Sequence, residues 1–553
     1  MFAKIKTAGL RGIEGFMVEV EADMQTGLPG FYLTGALSSE TREAQYRIMN
    51  AIKNSGIRME PRKITVNFSP AALRKDGTSY DLPIAVAVLC AMGLADYKEF
   101  EHTAFFGETG LDGSLKPVRG ALPMAFTCRE NGATRVIVPK GNEAEAALAE
   151  GIEVIGCRDI PEVLGILSGS WSSRDHRRRS HMCISREEGC DPSERRTGVS
   201  AFSERTPDRS TSEGWSAEEA AGAYRVDFSE VHGQEYLKRA AEIAVSGGHN
   251  FLMSGPAGTG KSMIAKRMPT IMPDLGRDED IEISKIYSIC GLLSEDRPLL
   301  GHRPFRSPHH GISEAAFAGG GNMVMPGEIS LASGGILFLD ELPLFQRNTL
   351  EMLRQPLEDK RITVTRMKGS YTYPADFILV GAMNNCPCGH FPDRSRCHCT
   401  KAQIRAYMGR LSKPLLERID ICAEARPVGY GELTGTVSSE TSAVIRKRVE
   451  ETRLIQEERF STSGRSACNG QMGIREVEHY YRLGKEETDF MREIYQMRGL
   501  SGRTYHKILK VARTIADMSK SDNIGISHLA EAVELRSMED SLFPAAASAK
   551  EAF

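Results

Sequence analysis

Asn250-Phe-Leu-Met-Ser254 followed by Gly255-Pro-Ala-Gly-Thr-Gly-Lys261-Ser262 is the stretch on which the reading of this chain turns. The first five residues have the character of a short buried strand. The next eight, Gly255, Pro256, Ala257, Gly258, Thr259, Gly260, Lys261 and Ser262, match the spacing G-x-x-x-x-G-K-[ST]. Glycines let successive backbone N–H groups close around phosphate oxygens, and a helix that starts there adds its dipole. In such a loop the lysine reaches the β- and γ-phosphates and the serine ligates Mg²⁺. The strand before and the helical pattern after set it apart from a plain glycine-rich turn.

A partner for the loop lies downstream. Gly335-Ile-Leu-Phe-Leu-Asp340-Glu341 is an apolar strand ending in two carboxylates. Asp340 is thereby expected beside Mg²⁺ and Glu341 where it polarises water. Phosphoryl transfer needs mainly positioning and charge neutralisation, so these parts suffice for ATP hydrolysis. An acidic pair opening a helix is the plainer reading of Asp-Glu; the buried strand in front of it favours the catalytic one.

Around these motifs the chain separates into regions. Its 553 residues predict about three or four domains. Residues 1–167 alternate β-rich runs such as Lys63-Ile-Thr-Val-Asn-Phe and Arg135-Val-Ile-Val with helical patterns, which predicts an α/β domain. Residues 168–223 offer little to bury and read as a flexible linker, its Arg177–Arg179 run a solvated charge cluster. Residues 224–433 carry strand signals at 250–254, 335–339 and 377–380 between helical segments, the pattern of a parallel, helix-covered sheet. Residues 434–553 are mostly helical, with clear periodicity in Arg503–Asp517 and Ile526–Ser537.

Bulk composition narrows the partners. The net charge of −3 gives no global attraction to nucleic acid, so any DNA contact must come from local basic elements. The apolar run Leu82–Ala95 is shorter than a bilayer span and reads as a core helix, so no membrane is expected. Met1–Glu14 lacks the apolar stretch of a signal peptide, and a cytoplasmic protein is expected. Twelve cysteines in such a chain point to thiols or a metal site before disulfides. Four of them, Cys386, Cys388, Cys397 and Cys399, form two C-x-C pairs. They fit a structural Cys₄ zinc site; because C-x-C is tighter than the usual C-x₂-C knuckle, a loop of reduced thiols fits equally. Lys360–Tyr373 reads as a hairpin turning at Met-Lys-Gly-Ser. Arg366 and Lys368 at its tip would hold DNA phosphates and its tyrosines would stack on bases, unless it is an ordinary solvated hairpin.

The residues from about Asp227 to Ser541 resemble AAA+ ATPases of the magnesium-chelatase-like group. Arg303-Pro-Phe-Arg-Ser-Pro-His-His and Pro326-Gly-Glu-Ile-Ser-Leu-Ala resemble that group's insert. Gly381-Ala-Met-Asn384 resembles its sensor 1, which implies that Asn384 orients the attacking water, although Asn385 stands where proline is usual. Leu415-Leu-Glu-Arg418-Ile-Asp420 resembles the arginine-finger segment and Ser501-Gly-Arg503 resembles sensor 2. That implies roles at the γ-phosphate for Arg418 and Arg503, the former on a neighbouring subunit. The basic hairpin resembles the pore insertion of ring helicases.

Residues 1–167 resemble the proteolytic domain of Lon, an S5-domain-2-like α/β fold, with Ser79 of Lys75-Asp-Gly-Thr-Ser79 at the nucleophile position. Counting back from Gly132-Ala-Thr-Arg-Val-Ile-Val-Pro139-Lys140 puts Met124 where Lon has its lysine. Lys116 is misplaced and Arg119 too basic to replace it, so peptidase activity is not expected. Taken together, the chain is similar to the ComM/YifB family. The resemblance implies a hexameric ring that uses ATP and Mg²⁺, moves on DNA and drives branch migration in natural transformation. A chelatase-type ATPase that remodels a protein partner is the rival reading.

Overall fold

The computed structural model describes residues 1–169, 226–321, 324–366, 369–430, 439–461 and 468–536. The expected linker, with Arg177–Arg179, lies almost wholly outside the described residues, and so does Lys368. The described residues fall into two compact units, one of 1–169 with 291–298 and one of the remainder.

In the first unit, Phe2–Arg11 (β1), Glu14–Gln25 (β2), Gly30–Thr34 (β3), Lys63–Ser69 (β4), Thr103–Phe105 (β5), Arg135–Pro139 (β6) and Glu153–Cys157 (β7) make one sheet of order β3-β4-β2-β1-β5-β6-β7. The pairs β1/β2 and β2/β4 are antiparallel and the others parallel. The β1/β2 ladder runs from Phe2 opposite Asp23 to Arg11 opposite Glu14, and Gly12 turns it with φ of 67°. Over the sheet lies helix Asp81–Ala91, every residue of which is buried. That is the apolar run read from the sequence; with both faces covered it carries no amphipathic period. Met124, on helix Ala121–Glu130, is 1% exposed and belongs to a core with Ala8, Ala104 and Phe106. A buried thioether thus occupies the position where the Lon resemblance calls for an amine.

In the second unit, Phe251–Ser254 (β8), Phe305–Arg306 (β9), Ile336–Leu339 (β10), Ile378–Met383 (β13) and Ile421–Glu424 (β14) form an all-parallel sheet of order β9-β10-β13-β8-β14; Arg361–Arg366 (β11) and Gly369–Pro374 (β12) pair apart from it. Strands β8, β10 and β13 are buried along their whole length, as parallel strands covered on both faces must be. The later helices, Ser442–Phe460, Gly502–Met518 and Ile526–Glu534 among them, share one apolar core with this sheet.

The basic hairpin forms as expected, from Arg361 opposite Pro374 to Arg366 opposite Gly369. One expectation for it fails. Tyr373 is fully buried and its hydroxyl donates to the Val324 carbonyl at 2.5 Å, so its ring is not free to stack on a base. The alternation of the strand explains this: Tyr373 faces Ile362 across the ladder, on the covered side. Among the described residues no helix is long and apolar enough to cross a membrane.

Candidate nucleotide site

The strand order places the site. β13 lies between β8 and β10, so the residues just beyond these three strands converge: the glycine-rich loop after β8, Asn384 after β13 and Asp340 after β10. Gly258 and Gly260 hold φ of 78° and 85° with open space around them, so backbone conformation demands glycine there. At Gly255 the demand is also steric, because a Cβ would stand 2.5 Å from the Ala425 carbonyl oxygen.

Lys261 is buried, and its Nζ donates to the carbonyls of Gly255 at 2.9 Å and Pro256 at 2.7 Å and to Asn384 Oδ1 at 3.2 Å. Burial lowers its pKa to about 8, with Asp340 pulling the other way. Ser262 Oγ donates to Asp340 Oδ2 at 2.6 Å. A hydroxyl and a carboxylate so placed are two hard oxygen donors for one small cation, which fits Mg²⁺ held between protein and phosphate oxygens.

Glu341 is exposed and left-handed, with φ of 50° and ψ of 43°, and its N–H donates to Asp340 Oδ1 at 2.9 Å. Outside glycine such a backbone costs about 1–3 kcal/mol and persists where its surroundings impose it. Here the turn carries the chain from the end of β10 into Leu342–Leu344 and leaves Glu341, the residue after Asp340, exposed. Asn385, the residue that departs from the family pattern, donates to Glu424 Oε1 at 3.1 Å at the end of β14.

Among the described residues, the two arginines assigned by resemblance form no bond to the loop. Arg418 Nη2 lies 2.7 Å and Arg503 Nη2 2.6 Å from the same oxygen, Oε1 of Glu358. Glu358 lies in the last turn of the helix Arg354–Asp359 that leads into β11. Asp420 of the same motif is structural: it accepts from the Asn250 N–H at 2.8 Å and from Lys507 Nζ at 2.5 Å, tying the root of β8 to helix Gly502–Met518. Burial works to raise its pKa, but Lys507 and His249 outweigh burial and hold the carboxyl at about 2. In the insert, Arg306 and Glu328 form a two-pronged pair at 2.6 Å for each bond, which joins the two motif segments.

Sequence reasoning missed Gln234 and Glu358. Gln234 has φ of 59° and donates to the carbonyls of Thr259, inside the loop, and Arg426. Its signal was the His-Gly-Gln turn before the first helix, which pattern reading treats as a mere connection. The four cysteines do come together: their Sγ atoms lie within 4.8 Å of one another, with Cys386 and Cys397 buried. Arg366 is exposed on β11, near the tip of the hairpin.

Comparison with known proteins agrees with this architecture. The family model described as magnesium chelatase, subunit ChlI matches residues 227–433; models for a further ChlI region and for the ChlI C-terminal region match 20–142 and 439–536. The protein YifB of Escherichia coli is 36% identical over 97% of both chains. Competence protein ComM of Haemophilus influenzae is 35% identical over 95% of this chain and 96% of its own. A shorter stretch, 21% of each chain, is 28% identical to Lon protease 2 of Bacillus subtilis. With near-complete coverage at this identity, the chain belongs to the ComM/YifB family of magnesium-chelatase-like AAA+ proteins.

Proposed function

We propose that this protein is an ATP-hydrolysing ring motor that acts on DNA and drives branch migration during recombination or natural transformation. One observation carries the ATPase part: Lys261, Ser262, Asp340 and Asn384 meet at adjacent strand ends and are linked by hydrogen bonds. In this reading Gly255–Ser262 hold the phosphates, Ser262 and Asp340 hold Mg²⁺, Glu341 polarises the water and Asn384 orients it. Arg418 and Arg503 bond to Glu358 and, among the described residues, to nothing in the loop of their own chain; for Arg418 this supports its serving a neighbouring subunit in a ring, taken here as a hexamer, while Arg503 reaches the γ-phosphate from the lid. DNA as the substrate is supported by the name of the competence relative and by the exposed hairpin with Arg366. Residues 1–167, Lon-like with Met124 in place of an amine, serve assembly or substrate binding, 168–223 link them to the motor at 224–433, and 434–553 form its lid. The site of action is the cytoplasm.

A second reading, a chelatase-type ATPase that remodels a protein without DNA, is favoured by the description of the matching family model. Steady-state hydrolysis with no DNA, single strands, duplex and a four-way junction separates the two, with Lys261→Ala as control. Stimulation by junction or single strands, abolished in Lys261→Ala, is expected. Hydrolysis indifferent to every DNA would overturn the DNA reading and leave the second.

A further inference from the structure

We propose that Cys386, Cys388, Cys397 and Cys399 bind one Zn²⁺ and that this ion buttresses the phosphate loop. The sulfur geometry comes first. Cys386 and Cys397 Sγ are 3.7 Å apart, Cys388 and Cys397 3.6 Å, and Cys386 and Cys388 3.3 Å. Four sulfurs placed about 2.3 Å from one zinc ion form a tetrahedron with edges of about 3.8 Å. A disulfide would need about 2.05 Å. All four are free thiols, converging on a single point from a loop that holds no strand or helix between β13 and Lys401–Met408.

The surroundings suit thiolates. The Phe391 N–H donates to Cys386 Sγ at 3.3 Å, and Arg394 donates to the Cys399 carbonyl at 3.2 Å while its guanidinium lies 4.7 Å from the Phe391 ring centroid. Such outer bonds orient metal ligands, and a nearby cation offsets the negative charge of four thiolates around one Zn²⁺. With four protein sulfurs no coordination position stays open, so the ion is structural. The thiols give up their protons on binding, which makes uptake weaker at acid pH.

Two connections carry the ion's effect to the nucleotide site. Gly389, one residue past Cys388, accepts from the Ala257 N–H at 2.9 Å, and a Cβ on Gly389 would meet Ala257 Cβ at 3.0 Å. The cysteine loop is therefore in direct backbone contact with the phosphate loop. On the other side, Tyr407 of helix Lys401–Met408 lies beside the Asn384 backbone. The ion ties Cys386 and Cys388, which follow Asn384, to Cys397 and Cys399, which precede Tyr407, and so fixes the segment next to the side chain that touches Lys261.

The metal and its role are tested separately. Metal analysis of the full-length protein, purified without chelator, should give one zinc per chain, and Co²⁺ replacement should give the intense visible bands of tetrahedral cobalt thiolate. Cys388→Ser with Cys399→Ser should abolish both, whereas Cys388→His, which keeps a ligand in a Cys₃His set, should retain zinc. Zinc-free protein that takes up neither Zn²⁺ nor Co²⁺ would overturn the site. Removal by a chelator should weaken binding of a fluorescent ATP analogue about ten-fold, reversed by added Zn²⁺, as misplacement of an outer support does elsewhere. Unchanged nucleotide affinity in the metal-free protein would overturn the buttress while leaving the site. That second half rests on the ATP reading: zinc uptake with no nucleotide binding under any condition would defeat the ATP reading and leave the metal standing.

Discussion

Lys261 shows how much one side chain can report. Its ammonium is buried among carbonyl oxygens of its own loop, and burial lowers its pKa to about 8. Bound phosphates favour the charged form, so the ATP complex holds this proton to higher pH than the free protein does. Affinity for ATP is then flat below about pH 8 and falls above it, by up to ten-fold per pH unit, until the lysine of the complex also titrates. Binding of a fluorescent ATP analogue in Mg²⁺ across that range should show the fall, and Lys261→Ala should bind weakly without it. A flat wild-type profile would mean that the lysine stays charged without the nucleotide. The loop residues were legible because phosphate chemistry fixes both residue type and spacing. Glu358 was not, since an acidic residue near a helix end resembles any solvated charge until the fold brings Arg418 and Arg503 to it.

Between elements, the insert shows what motif spacing leaves out. Arg306 on β9 and Glu328 on helix Glu328–Leu331 belong to two separate segments of the sequence, and the fold makes them a bidentate pair. Burial acts to lower the arginine's pKa, but Glu328 outweighs it and raises it. Breaking such a pair strands a mostly buried charge, whereas replacing both partners removes the cost. Arg306→Met should therefore destabilise the second unit by about 3 kcal/mol, and Arg306→Met with Glu328→Leu should recover most of it. Urea denaturation of the two single variants and the double variant gives the coupling energy; additive losses would show that the pair holds nothing together. The sheet's strands were readable because parallel strands covered on both faces are continuously apolar. Tyr373 departs from the expectation because β-strand alternation outweighs aromatic character: Ile362 and Val364 mark the covered face on which it lies.

At the scale of the whole molecule, what matters is which chain completes which site. The glycine-rich loop, Asp340 and Asn384 assemble within one chain, while Arg418 and Arg503 gather on Glu358. In the proposed motor such a division gives each chain a nucleotide side and a guanidinium side. Contacts of that head-to-tail kind close into rings when the rotation permits. The consequence is complementation. Lys261→Ala removes the nucleotide face and Arg418→Ala the guanidinium face, so each homogeneous ring should be inactive. In an equal mixture, random assembly pairs an intact loop with an intact arginine at about one interface in four, and about a quarter of wild-type hydrolysis should return if interfaces act independently. Subunits that exchange, confirmed by energy transfer between labelled chains, yet recover nothing would place Arg418 in its own chain's site and remove the need for a ring. Recovery near that fraction would assign the arginine to the neighbour and make the ring the unit of catalysis.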